Sequence, residues 1–131
     1  MPTLYVDTSS MGRIALQEGN GAELAAKVAA FVAAGGKVVS SVLTEVECHR
    51  IAVRVGAQGG DTTQMYEATK WLDETYEVDD LVVAKAKSID RPIKTLDAIH
   101  LATASFVPGV LLMTSDDAMR KVAEHIGIAL A

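Results

Sequence analysis

Four acidic positions carry the chemistry this sequence can offer: Asp7, a glutamate at position 45 or 47, Asp97 and Asp116. Asp7 follows the apolar run Leu4-Tyr5-Val6 and precedes the small hydroxyl residues Thr8-Ser9-Ser10. Asp116 follows Val110-Leu111-Leu112-Met113-Thr114, the best strand signal in the chain. Glu45 and Glu47 fall in the first turns of a helix after Val38-Val39, and Asp97 falls in the first turn of a helix after Thr95. A carboxylate near a helix N-terminus is individually ordinary, because the dipole favours it, and Asp7 reads equally as the cap of the next helix. Four that converge on one crevice repel each other unless a cation lies between them. A hard divalent ion such as Mg²⁺ or Mn²⁺ takes carboxylate and water oxygens. Such an ion binds a phosphate oxygen and activates water for in-line attack.

The elements that must bring the acids together alternate in type. Leu4–Val6 reads as a buried parallel strand, since it lacks polar alternation. Ser9 or Ser10 caps a helix through Ile14 and Leu16, broken by Gly19-Asn20-Gly21. Ala22 to Ala34 has Leu24, Val28, Phe31 and Val32 at helical spacing, and Gly35-Gly36 ends it. Lys37–Ser40 is a second strand, and Ser41 caps a helix to about Val55. Asp61 with Gln64 resembles a capping box ahead of Met65, Ala68 and Leu72. Thr75–Val78 is a short strand, followed by a helix from Asp79 or Asp80 to about Ser88. After Arg91-Pro92, Thr95 caps a helix from Leu96 to about Ser105. Val110–Thr114 is a strand, Ser115 caps a helix ending before Gly127, and Ile128–Leu130 is a last strand. Such alternation predicts an α/β fold with a mainly parallel sheet covered on both faces. The Leu4–Val6 strand should be central, beside those at Val38–Val39 and Val110–Thr114. Strand ends and helix starts then gather at one edge, where sites form.

The 131 residues suffice for one domain, 1–131, with a real core, and half of them are hydrophobic. A formal net charge of −5 argues against a broad basic surface, yet a metal site needs carboxylates. Cys48 is the only cysteine, which excludes an intramolecular disulfide and a thiolate zinc cluster. Met1-Pro2-Thr3 leads straight into the strand, without a basic and apolar leader. No apolar run is long enough to span a bilayer, so the expectation is a cytoplasmic protein without a membrane partner. The second acid stays open on geometry. At about 100° per residue, Glu45 and Glu47 fall on opposite flanks of a Val42/Val46/Val53 stripe.

Val6-Asp7-Thr8-Ser9, the Glu47 region, Leu96-Asp97-Ala98-Ile99-His100-Leu101-Ala102-Thr103-Ala104 and Thr114-Ser115-Asp116 together resemble the four acidic motifs of PIN-domain ribonucleases. The likeness covers essentially the whole chain in order, and the Asp97 segment is its most specific part. A lone domain of this length resembles the VapC toxins of bacterial toxin–antitoxin pairs. The resemblance implies a three-layer α/β/α fold and Mg²⁺- or Mn²⁺-dependent cleavage of RNA. It also implies neutralisation by a cognate antitoxin, with an amphipathic helix and an Arg reaching the site, in a homodimer or a toxin–antitoxin hetero-oligomer. Carried over residue by residue, it makes Asp7, Glu47, Asp97 and Asp116 the catalytic and metal-binding acids, with Ser9 and Thr114 supporting. Glu47 is chosen because Ser41, Glu47 and Arg50 reproduce the family spacing, whereas Glu45 requires a shorter gap.

The remaining polar residues have blander readings beside the functional ones. His100 lies three residues after Asp97 and can share its helix face. It orients that carboxylate, binds metal, or is a partly buried helix histidine, since a hard-cation site does not need imidazole. Glu45 and His49 have ligand spacing but no third ligand. Arg13, Arg50 and Arg54 are candidates for RNA phosphates or plain surface charges. Tyr66 and Trp71 stack on bases or pack between helices. Cys48 reads as a small buried residue, and Asp117 as a solvated helix-start acid. Two rival functions remain. A phosphatase or phosphotransfer domain also uses aspartates at strand ends, but Ser9 stands where the former needs a second aspartate, and Val39-Ser40 offers the latter no phospho-acceptor. A non-catalytic PIN-like interaction module would keep the acids only as caps.

Overall fold

The computed structural model describes residues 2–131. Strands β1 (Thr3–Val6), β2 (Lys37–Ser41), β3 (Glu74–Tyr76) and β4 (Val110–Met113) form one sheet in the order β3-β2-β1-β4, every pair parallel. The first strand thus has the two neighbours its apolar run predicts. The expected last strand is reduced to one parallel bridge, Leu130 to Leu112 on the outer side of β4. Between the strands run α1 (Thr8–Leu16), α2 (Gly21–Ala33), α3 (Val42–Ala57), α4 (Thr63–Glu67, continuing as a 3₁₀ turn to Trp71), α5 (Asp80–Ser88), α6 (Thr95–Ser105) and α7 (Asp117–His125). None of the described helices is long and apolar enough to cross a membrane.

Side chains alternate across a strand, so each strand feeds two cores. Leu4, Val6, Val38 and Met113 pack with Met11, Leu24, Cys48, Ala52 and Met65 on one face. Tyr5, Val39 and Leu112 pack with Leu101, Ala104, Met119, Val122 and Ile128 on the other. The fold is therefore a three-layer α/β/α sandwich, with α1 to α4 on one side and α6 and α7 on the other. Each fully buried side chain of Leu or Val size contributes about 1.5–3 kcal/mol. β1, buried along its length, anchors both layers.

Helix α3 corrects one expectation. Its buried face is Thr44, Cys48 and Ala52, while Val46 and Val53 of the apparent apolar stripe are 58 % and 38 % exposed. Small residues at a four-residue spacing let the helix approach its neighbours closely, which a count of large apolar side chains does not register.

Candidate active site

Asp7 is the first residue past β1, and it is only 3 % exposed. Cap or site was the choice for this residue, and its geometry accommodates both. Asp7 Oδ1 accepts from Ser10 N at 2.9 Å and starts α1, displacing the expected serine caps. Asp7 Oδ2 accepts from Ser9 Oγ at 2.8 Å and from Thr114 Oγ1 at 2.5 Å. An ionised carboxylate has about four lone-pair sites, so three bonds hold the group rigid and leave one direction open. Thr114 arrives there because β1 pairs with β4 in the register Val6 to Met113, and the next pair outward is Asp7 and Thr114. The same hydroxyl accepts from Asp116 N at 3.1 Å, tying the two motifs together. Asp116, not Ser115, caps α7, with Oδ1 accepting from Met119 N at 2.9 Å. Ser115 Oγ is left buried without a partner among the described residues.

Glu47 and Asp97 complete the ring from helices on opposite faces of the sheet. Glu47 Oε1 receives two donors, Thr8 Oγ1 at 2.9 Å and His100 Nε2 at 2.8 Å. His100 is 2 % exposed, and its Nδ1 lies 2.7 Å from the Tyr5 hydroxyl. An ionised Glu47 accepts only, so His100 donates through Nε2 and Nδ1 is free to accept the Tyr5 O–H. Burial pushes the Glu47 carboxyl up, but the hydrogen bonds from His100 and Thr8 outweigh it and hold it below the usual range. Asp97 goes the other way. Burial first, then the negative charge of Asp116 and more weakly that of Asp7, raise it, against the opposing pull of Lys94. Burial also pushes the Tyr5 hydroxyl well above its usual range, which keeps it a donor. No side-chain cap holds the start of α6, where the sequence suggested Thr95.

Asp7, Glu47, Asp97 and Asp116 all line one cavity of about 440 Å³, with Thr8, Ser9, Lys94 and His100 among its other walls. Glu45 is exposed on the other flank of α3 and accepts from Thr75 Oγ1 at 3.2 Å, so the geometry favours Glu47 as the second acid. Asp117 is exposed in the first turn of α7. Arg13, Arg50 and Arg54 do not line the cavity. Arg13 donates to Asn20 Oδ1 at 2.9 Å and secures the α1–α2 turn, and the other two arginines are exposed on α3. The cation that does line the cavity is Lys94, which the motif reading passed over. Tyr66 packs edge-on against His49, with centroids 5.0 Å apart, and Trp71 is 37 % exposed. Cys48 is buried, and burial, with the Glu47 charge adding, pushes its thiol up to about 12, which makes it an inert core residue.

Thr8 and Tyr5 escaped the sequence reading, while His100 is the buried helix histidine it was read as, with Glu47 rather than Asp97 as its carboxylate partner. Thr8 carried a weak signal as one of three consecutive hydroxyls. That His100 serves Glu47 rather than Asp97 is a tertiary fact, since the two lie 53 residues apart and meet only when α3 and α6 close over the strand ends.

The donor set fits a hard divalent cation. Four carboxylates line one hollow, and burial, with the charges of Asp116 and Asp7 adding, raises Asp97 there. Among the described residues, Asp97 and the second oxygens of Glu47 and Asp116 have no hydrogen-bond donor, so they are available as ligands. Among those residues no three His, Cys, Asp or Glu side chains are grouped tightly enough to hold one ion between them. Mg²⁺ does not require such a cluster, because it keeps several waters and takes one or two carboxylates directly.

Comparison with known proteins gives concordant results. Residues 4–125 match the PIN domain family. The protein named Ribonuclease VapC35 of Mycobacterium tuberculosis is 34% identical over 97 residues, 70% of this chain and 70% of that protein. Ribonuclease VapC47 of Mycobacterium tuberculosis is 28% identical over 131 residues, 98% of this chain and 95% of that protein.

Proposed function

The chain belongs to the PIN-domain family, with VapC-type ribonucleases among its relatives, and from that premise we propose that it is a metal-dependent endoribonuclease, the toxin of a type II toxin–antitoxin pair. The observation that carries the reading is the convergence of Asp7, Glu47, Asp97 and Asp116 on one cavity. These acids would hold Mg²⁺ or Mn²⁺, which would supply Lewis acidity toward a phosphate oxygen and an activated water.

The chain's own groups do the positioning. Ser9 and Thr114 fix Asp7 by donating to one of its oxygens. Thr8 and His100 fix Glu47 in the same way and leave its second oxygen without a donor among the described residues. Lys94, on the cavity wall, offers a cation to an incoming phosphate. Preorganised carboxylates cost little reorganisation when the substrate arrives. A module that kept the acids only as caps would need Asp7 and Asp116 alone. Asp97 and Glu47 cap nothing and still face the hollow, which favours an enzyme over an interaction module.

The protein is read as one PIN-like domain over 1–131, working in the cytoplasm on RNA and silenced by a cognate antitoxin with basic residues that meet the acid cavity. Its assembly is read as a homodimer or a toxin–antitoxin hetero-oligomer. Incubation with end-labelled RNA and Mn²⁺, with and without EDTA, tests the enzyme. Cleavage that persists in EDTA, or none with Mn²⁺ under conditions where the protein is folded, rejects it. A basic protein that co-purifies and stops the cleavage supports the toxin assignment.

A further inference from the structure

Thr95 belongs to two hollows. It lines the acid cavity, and it also lines a second hollow of about 310 Å³ between α5 and α6, walled by Val83, Ile89, Ile93 and Ile99. That second hollow shares Arg91 with a third, of about 250 Å³, against α7. The three follow one another along the irregular segment 89–94. Lys94 lines the first, Lys87 and Arg91 the second, and Arg91 and Lys121 the third. None of these four takes part in an ion pair among the described residues. Arg91 Nη2 lies 3.3 Å from His125 Nδ1, and His125 Nε2 lies 2.9 Å from Asp90 Oδ1, so the guanidinium is steadied at the junction of two hollows. On a chain of net charge −5, a file of cations without direct ion-pair partners among the described residues, leading out of an acidic cavity, runs against the overall charge.

We propose that this groove carries the RNA strand leading away from the cleavage site, with Lys94, Lys87, Arg91 and Lys121 on its phosphates. The inference rests on the ribonuclease reading above and adds the path of the substrate. Lys94 and Arg91 are three residues apart, a reach of at most about 10 Å, so a single strand meets both. No Phe, Tyr or Trp lines the three hollows, and without a stacking platform the contacts are to the backbone. Such contacts set position and not sequence, and they weaken steeply with salt. An apolar floor also suits a protein segment, but the four unpaired cations favour a polyanion.

The test is binding of a fluorescent ten-nucleotide RNA, with EDTA present, over a series of salt concentrations. Each phosphate contact on a single strand contributes about −0.7 to the slope of log K against log salt. Arg91→Ala combined with Lys121→Ala, both exposed positions, should weaken binding roughly tenfold and flatten the slope by about 1.4. Arg91→Lys should keep the wild-type slope. An unchanged affinity and slope in the double variant overturns the proposal. Loss of binding in Arg91→Lys as well overturns the phosphate assignment, because the charge is retained there. The ribonuclease reading is judged separately, by whether the wild-type protein cuts RNA with Mn²⁺.

Discussion

His100 Nε2 lies 2.8 Å from Glu47 Oε1, and the histidine is itself held from behind by the Tyr5 hydroxyl at 2.7 Å. The chain Tyr5, His100, Glu47 runs from the centre of the sheet to the wall of the acid cavity, so one buried ring sets the aim of a half-buried carboxylate. Partners of this kind typically matter by about 10–100-fold in metal affinity or activity. His100→Ala should therefore raise the Mn²⁺ concentration for half-maximal cleavage by about that factor. It should also cost about 1–3 kcal/mol of stability, because the Tyr5 hydroxyl loses its partner. His100→Gln, which can still donate to Glu47, should recover most of the metal response. A Mn²⁺ titration unchanged in His100→Ala, with only a lower Tm, would reduce the histidine to packing.

Asp97 gives a prediction with a pH sign. Its carboxyl is raised above the usual aspartate value by burial and by Asp116 and Asp7. A raised acid costs stability at neutral pH, where it is charged in both states but disfavoured in the folded one. As pH falls through the folded value, the native state takes up its proton first and the cost disappears. Below about pH 3.9, the ordinary aspartate value, both states are protonated. Without metal, Asp97→Asn should therefore melt higher than wild type at pH 7, and the difference should shrink to nothing on acidification. Glu47 has the opposite sign. Its lowered carboxyl contributes stability above the ordinary glutamate value of about 4.3, lost as pH falls through the folded value. Parallel Tm curves from pH 7 to pH 3 would contradict a raised Asp97 carboxyl.

The parallel sheet was legible because Leu4–Val6 and Val110–Met113 are short unbroken apolar runs, and the acids stood out because they follow such runs or open helices. Side-chain duties within the site were less legible. Asp7 and Asp116 cap their helices and face the cavity at once, so cap and site were never exclusive. Helix α3 misled because its buried face is made of Thr44, Cys48 and Ala52, while Val46 and Val53 are exposed. Periodicity could not reveal the Thr8–Glu47–His100 contacts, since they join three elements far apart in sequence. The same holds for Lys94, which reaches the cavity as the residue before α6 and belongs to no acidic motif.

Thr114 links the first and fourth acids through one hydroxyl, donating to Asp7 Oδ2 and accepting from Asp116 N at 3.1 Å. Thr114→Val keeps the shape and removes both bonds in a residue that is 3 % exposed. It should cost about 1–3 kcal/mol and loosen Asp7 and the start of α7 together. Thr114→Ser should restore stability and most of the metal response. If valine is as stable and as active as wild type, the hydroxyl does not join the two acids in solution.

Asp7→Asn separates the two duties of the first acid. Asparagine caps a helix about as well as aspartate, so the bond to Ser10 N should survive. The amide nitrogen in place of the second oxygen accepts nothing, so the two hydroxyls that donate to Asp7 must both rotate to accept from it or find other partners. That loss is opposed by relief of the repulsion that Asp7 exerts on Asp97. The two effects should leave metal-free stability within about 1 kcal/mol of wild type. Metal linkage should change far more. At a Mn²⁺ concentration a hundred times its Kd, binding stabilises the wild-type fold by about 2.7 kcal/mol. The substituted protein lacks the charge that holds the cation, so its Tm should barely move with Mn²⁺ and its RNA cleavage should vanish. Melting both proteins with and without Mn²⁺, beside a cleavage assay, decides the matter. Equal Mn²⁺ shifts, or full cleavage by Asp7→Asn, would leave Asp7 a helix cap only and remove the first acid from the proposed mechanism.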